Sequence, residues 1–108
     1  RKLIDDIRFE VERYYLELTS AREKVRVTKD ATSQAEENLR INRVKYREGE
    51  GTATDVVDAI TLLTVAETNH YRSQYELLRA EANLIHAMGR DLVEVYKELN
   101  GRVSEHCQ

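Results

Sequence analysis

A chain of 108 residues with no Pro, four Gly, one Cys and a net charge of −3 has room for one domain at most and for no intrachain disulfide. Charged residues make up 34% of it with both signs interspersed, which excludes the broad basic surface of a nucleic-acid binder. No apolar run approaches the roughly 20 residues of a membrane-spanning helix, and abundant Glu, Arg, Leu and Ala without Pro point to helix. The chain opens on Arg1 with no signal-peptide pattern, the expectation for a piece of something longer.

The first element is predicted over about 3–48. Its apolar and small residues recur at alternating steps of three and four: Ile4, Ile7, Val11, Tyr14, Leu18, Ala21, Val25, Thr28, Thr32, Ala35, Leu39, Asn42 and Tyr46. That is a heptad seam, and it implies a left-handed supercoil with a partner helix. Leu16, Val27, Ala31 and Ile41 fall off the seam. Near the end of the element Arg40, Arg43, Lys45 and Arg47 form a basic cluster. A solvated flank accounts for it, with Glu36 four residues before Arg40 for a helix pair; a partner-docking surface is the sharper alternative.

The turn is predicted at 48–53. Gly49 and Gly51 allow helix one to stop sharply, and Thr52 with Asp55 has the spacing of a capping box, Asp replacing the usual Glu or Gln. Glu48, Glu50, Asp55 and Asp58 make an acidic cluster at this end. The helix dipole and capping explain Asp55, but not Asp58. Repeated around a symmetric assembly, these acids would make a ring that attracts cations and narrows a pore.

The second helix is predicted over about 53–88, with its seam at Val56, Ala59, Leu63, Ala66, His70, Ser73, Leu77, Ala80, Leu84 and Ala87. A loop this short makes the helices antiparallel, so the expected fold is all-α, a long helical hairpin in one domain. A second apolar row, Val57, Ile60, Tyr71, Leu78, Ile85, Met88 and Leu92, is interrupted by Glu67, Gln74 and Glu81. Two helices alone have almost no interior, so this row asks for a helix on the far side: a curved wall of helices or a dimeric four-helix bundle. Beyond Gly89, residues 91–100 are expected as a short third helix or an extension of the second, and Arg102 to Gln108 as a frayed polar tail.

Catalytic chemistry is not expected. Glu67 and His70 have Glu-x-x-His spacing, but a di-iron bundle requires a second such motif, and His70 on the seam suits an interhelical hydrogen bond. His86 and His106 carry no partner pattern, and Cys107 is expected to be incidental. Neither a cofactor nor a metal is expected.

The stretch from Tyr46 to Ala59, with Gly49, a short polar turn and then Asp55-Val56-Val57-Asp58-Ala59, resembles the hairpin signature of the TolC-like outer membrane efflux protein family. Val57 stands where that pattern usually has Leu. The likeness runs over residues 8–92, through Val11–Leu18 and Ala35–Arg40 upstream and Leu62–Leu63, Ala66–Glu67, Tyr75, Leu84 and Ala87–Gly89 downstream. The resemblance implies a non-enzymatic, trimeric channel of Gram-negative bacteria for efflux or secretion. Each chain of such a channel contributes two hairpins to a periplasmic tunnel below an outer-membrane barrel, and this segment is not itself embedded in the membrane. It also implies docking of a periplasmic adaptor protein at the tip, Glu48, Gly49, Glu50, Gly51 and Thr52, with an inner-membrane pump reached indirectly. Tyr46, Asp55 and Asp58 match residues of the closed periplasmic entrance. Gly51 stands where one member carries an Arg of the closing network, so a salt-bridged lock is in doubt and the gate is either looser or held by packing and Tyr46. With one hairpin and no barrel strands, the chain is expected to be the helical part of one repeat, the C-terminal one on account of residues 91–100. The alternative is a coiled-coil interaction module without a channel, such as an adaptor hairpin.

Overall fold

The computed structural model describes residues 2–106. Two helices account for nearly all of them, α1 over Lys2–Arg47 and α2 over Ala53–His106, joined by a five-residue turn into a helical hairpin. Cys107 lies outside the described residues, as does the side chain of His106. The described chain forms two compact units, one from α1 through Thr19 with α2 from Leu78 onward, the other Ser20–Leu77.

In the unit that holds the turn, the predicted seam is the contact surface. Ala21, Val25, Thr28, Thr32, Ala35, Leu39 and Asn42 of α1 are buried or half-buried, as are Val56, Ala59, Leu63, Ala66, His70, Ser73 and Leu77 of α2. Cross-helix contacts mark the antiparallel register: Lys24 pairs with Glu76 at 3.2 Å, and the Thr32 hydroxyl, 2.9 Å from the Thr28 carbonyl of its own helix, lies 3.3 Å from the Ala66 carbonyl. Between them lies a polar layer in which Thr28 Oγ1 is 3.1 Å from His70 Nδ1 and 2.7 Å from Ser73 Oγ. Ser73 is 1% exposed and also lies 2.7 Å from the His70 carbonyl. The Thr28–Ser73 contact uses one of the two hydroxyl protons, and the tautomer of His70 decides whether its Nδ1 donates to Thr28 or accepts the other. His70 is thus the interhelical hydrogen-bonding histidine expected of a seam position.

In the other unit the seam consists of Ile7, Val11, Tyr14 and Leu18 against Ala80, Leu84 and Ala87. It ends differently from the prediction. Ile4 is 55% exposed and Leu3 is half-buried in its place. The steps from Tyr14 to Val11, Ile7 and Leu3 are three, four and four, an eleven-residue spacing that lies nearer the natural helical period than a strict heptad. On α2 the seam runs on through Asp91 and Val95.

Gly89 and Gly101 do not interrupt α2, and residues 91–100 extend it without a break. The tail expected to fray from Arg102 is helical through His106. A glycine ends a helix when it turns left-handed, and among the described glycines only Gly49 has positive φ, at 77°.

Every N–H of the turn from Glu48 to Thr52 is bonded. Glu50 N–H donates to Lys45 O at 2.8 Å and Gly49 N–H to Tyr46 O at 3.1 Å, the paired bonds of a Schellman motif with Gly49 in the left-handed position. Thr52 then caps α2: its hydroxyl accepts from Asp55 N–H at 3.1 Å, and the Asp55 carboxylate accepts from Thr52 N–H at 3.2 Å. This is the capping box anticipated from the spacing.

Alanine at two glycines should move stability in opposite directions. Gly49→Ala forces a Cβ into left-handed backbone and is expected to cost about 1 kcal/mol. Gly89→Ala, in helix with nothing within 4 Å of the added Cβ, is expected to gain about 0.5–1 kcal/mol; chemical denaturation at fixed protein concentration measures both, and a gain at Gly49 would refute the cap. For the polar layer, the triple change Thr28→Val, His70→Leu and Ser73→Ala is expected to raise the denaturation midpoint while broadening the distance distribution between spin labels at positions 24 and 76, because one buried polar layer specifies register at a cost in stability. A narrow distribution in that variant would show that the apolar seam alone sets the register.

Candidate functional site

The hairpin tip carries the docking and gate residues that the resemblance implied. Tyr46 is in the last turn of α1, Glu48 to Thr52 form the connection, and Asp55 and Asp58 lie in the first two turns of α2. Gly49 presents open backbone, with nothing within 4 Å of where a side chain would begin. Glu48, Glu50, Thr52, Asp55 and Asp58 are all exposed.

Gly51 has a different role from Gly49. Its backbone is not left-handed, but a Cβ there would sit 3.2 Å from Lys45 Cβ and 3.5 Å from Tyr46 N. The glycine lets the returning chain lie against the end of α1, where Gly51 N–H is 3.2 Å from the Lys45 carbonyl. A larger residue at this position has to displace Lys45.

Tyr46 departs from the seam expectation, with 51% of it exposed. The register that sets Thr28 against His70 and Ser73 and Thr32 against Ala66 places Tyr46 opposite the very start of α2. No apolar partner is available there, and Val44 is the half-buried residue of that turn. The phenol ring is therefore presented outward beside the tip.

The two aspartates are not equivalent. Asp55 is engaged by the cap through Thr52 N–H and complements the positive end of the α2 dipole. Asp58, one turn further on, has neither an ion pair nor a side-chain hydrogen bond among the described residues. The basic cluster does not neutralise the acids either: Arg40 binds Glu37 through two hydrogen bonds rather than the expected Glu36, because a fork-to-fork contact forms at three residues' separation. That hydrogen bond, with the Arg40 charge, holds the Glu37 carboxyl below its ordinary value, and Arg26 does the same for Glu23. Such contributions are present at neutral pH and lost as pH falls through the lowered values, and on a fully exposed surface they are small. Lys45 and Arg47 complement the negative end of the α1 dipole.

The predicted second row is exposed throughout. Val57, Ile60, Tyr71, Leu78, Ile85, Met88 and Leu92 are all among the exposed large apolar residues, joined by Leu16, Val27 and Ile41 of α1 and by Tyr15, Leu62, Val65 and Tyr75. Asp91 is the residue that reading the sequence missed: a carboxylate 4% exposed on the seam. Its signal is the spacing, four residues after Ala87 and seven after Leu84. None of the described residues forms a group of acids, histidines and cysteines able to hold a metal, and no described helix is long and apolar enough to cross a membrane.

No curated protein and no solved structure matches the chain. The outer membrane efflux protein family matches residues 4–90, a span that takes in nearly all of α1, α2 as far as Arg90 and the whole tip with Gly49, Asp55 and Asp58. With four-fifths of its length accounted for in this way, the chain belongs to the outer membrane efflux protein family.

Proposed function

We propose that this hairpin is a periplasmic tunnel segment of a trimeric outer membrane efflux or secretion channel in a Gram-negative bacterium. Its tip docks a periplasmic adaptor protein and gates the periplasmic entrance. The family is one of channels and transport, not of enzymes. The observation that carries the proposal is the tip: a turn fixed by two reciprocal capping motifs that leaves Gly49 open and Asp58 without a structural task.

In this reading the exposed glycine backbone, flanked by Glu48, Glu50, Gly51 and Thr52, is the contact for the adaptor's helical tip. A bare backbone admits close approach that a side chain prevents. Asp55 and Asp58, repeated by the three-fold assembly, ring the entrance and favour cations at its narrowest point. Tyr46 closes it by packing, since the close approach at Gly51 leaves no room for a larger gate residue without moving Lys45. The exposed apolar row of α2 is the surface against which neighbouring hairpins complete the wall. The pump supplies the energy, and no bond is made or broken by the channel.

Two results are expected. Asp58→Ala in the full-length parent should raise or destabilise the closed-state conductance while leaving hairpin stability within about 0.5 kcal/mol, as for a surface residue outside any cap; unchanged conductance and export would refute the gate. The isolated chain should self-associate through its apolar row, and a strictly monomeric mass by light scattering at high concentration would refute that assignment. The reading frame on either side discriminates the channel from the adaptor-hairpin alternative. A second hairpin with a Gly and Asp-x-x-Asp tip, flanked by alternating strands of about ten residues, belongs to a channel, and lipoyl-like domains around a single hairpin belong to an adaptor.

A further inference from the structure

The distances within the polar layer of the seam constrain where its protons lie. Three oxygen–oxygen contacts converge there. Thr28 Oγ1 is 2.7 Å from Ser73 Oγ and 2.9 Å from the Lys24 carbonyl, and Ser73 Oγ is 2.7 Å from the His70 carbonyl. Oxygens this close are favourable only with a proton between them, and the two hydroxyls have one proton each to give. The imidazole meets the same group, with His70 Nδ1 3.1 Å from Thr28 Oγ1. If Nδ1 accepted the Thr28 proton, two of the three oxygen–oxygen contacts would be left bare. A donating Nδ1 brings a proton of its own and leaves one bare.

One arrangement then serves all three side chains. Nδ1–H donates to Thr28 Oγ1, the Thr28 hydroxyl to Ser73 Oγ, and the Ser73 hydroxyl to the His70 carbonyl, a ring that begins and ends on His70. The contact without a proton is the one to the Lys24 carbonyl, which already accepts an N–H within α1. Nε2 makes no hydrogen bond to the described residues and is not a buried unpartnered atom, so its lone pair is open to water. The charged groups within about a turn of the layer are Lys24, Arg26, Lys29 and Asp30 on α1 and Glu67, Arg72 and Glu76 on α2. Lys24 pairs with Glu76 and Arg26 with Glu23 and Asp30; Lys29, Glu67 and Arg72 are exposed. None of them is bonded to the imidazole.

We infer that His70 carries its proton on Nδ1 and that the Thr28–His70–Ser73 ring is a register latch that acid does not open. The bond made by one imidazole nitrogen fixes the state of the other, so a second proton enters at Nε2, outside the ring, and every bond of the ring survives it. The other tautomer behaves in the opposite way, because a proton added at Nδ1 would meet the donating Thr28 hydroxyl. The alignment of α1 on α2 therefore does not follow the charge of the seam histidine. This holds whether or not the chain lines a channel.

Nitrogen NMR of the 108-residue chain tests the assignment. With His70 neutral, Nδ1 is expected at the position of a protonated ring nitrogen and Nε2 at that of a bare one. Thr28→Val should draw the two resonances together, since nothing then holds the proton on one nitrogen. On acidification Nε2 alone should move to the protonated position. Spin labels at positions 24 and 76 remove the nearby ion pair and isolate the layer, and their distance distribution should keep its width as His70 becomes charged. A bare Nδ1 with a protonated Nε2 overturns the inference, as do averaged resonances in the unsubstituted chain. A distribution that broadens as His70 takes up its second proton overturns the latch.

Discussion

The narrowness of the interhelical seam governs the rest of this structure. Its most deeply buried residues are Ala59, Ser73, Ala80, Ala87 and Asp91, with Leu18 and Leu39 as the large apolar side chains among them. Small residues let two helices approach closely, but they take little apolar surface out of water, and burial scales with area. The larger apolar side chains, from Val57 and Ile60 through Ile85 and Leu92, lie outside the seam. The pairing is specified by the seam, and most of the chain's capacity for hydrophobic stabilisation remains available for other helices. An efflux-channel wall, in which each helix needs neighbours on two sides, is the setting in which such a division makes physical sense.

The turn obeys the opposite logic and is nearly self-sufficient. The Schellman bonds satisfy carbonyls at the end of α1, and the Thr52–Asp55 box satisfies amides at the start of α2. A tip held this way keeps its shape without a partner and presents its backbone and acids in a fixed arrangement. In the proposed docking role, that pre-organisation would reduce the entropy lost on binding. It also separates the two aspartates of the family-like motif, one being required by the cap and the other not.

Much of this was legible in the sequence because the signals are local. Steps of three and four found the seam, Gly49 marked the left-handed turn, and the Thr52–Asp55 spacing found the cap. The readings that failed depend on what lies across the hairpin. Tyr46 fits the seam's period but lies opposite the very start of α2, where the partner helix only begins. Ile4 yields to Leu3 because a real helix drifts from the ideal heptad. Gly89 resembles a helix terminus by identity, yet a glycine stops a helix only when its φ and the residues after it cooperate, and here the seam resumes at Asp91. The pairing of Arg40 with Glu37 rather than Glu36 turned on side-chain geometry, which spacing alone does not decide.

Two polar features interrupt the seam, and their difference is informative. The Thr28–His70–Ser73 layer closes on itself: each group finds its partner within the hairpin or its own backbone. Such a layer costs some stability and fixes how the two helices align. Asp91 is equally buried but remains open, with one oxygen unmatched and the nearest guanidinium drawn off to Glu10. A satisfied layer specifies a contact the chain makes with itself. An unmatched carboxylate fixes no alignment and costs stability, so the register is set by the layer that closes and by the apolar seam rather than by Asp91.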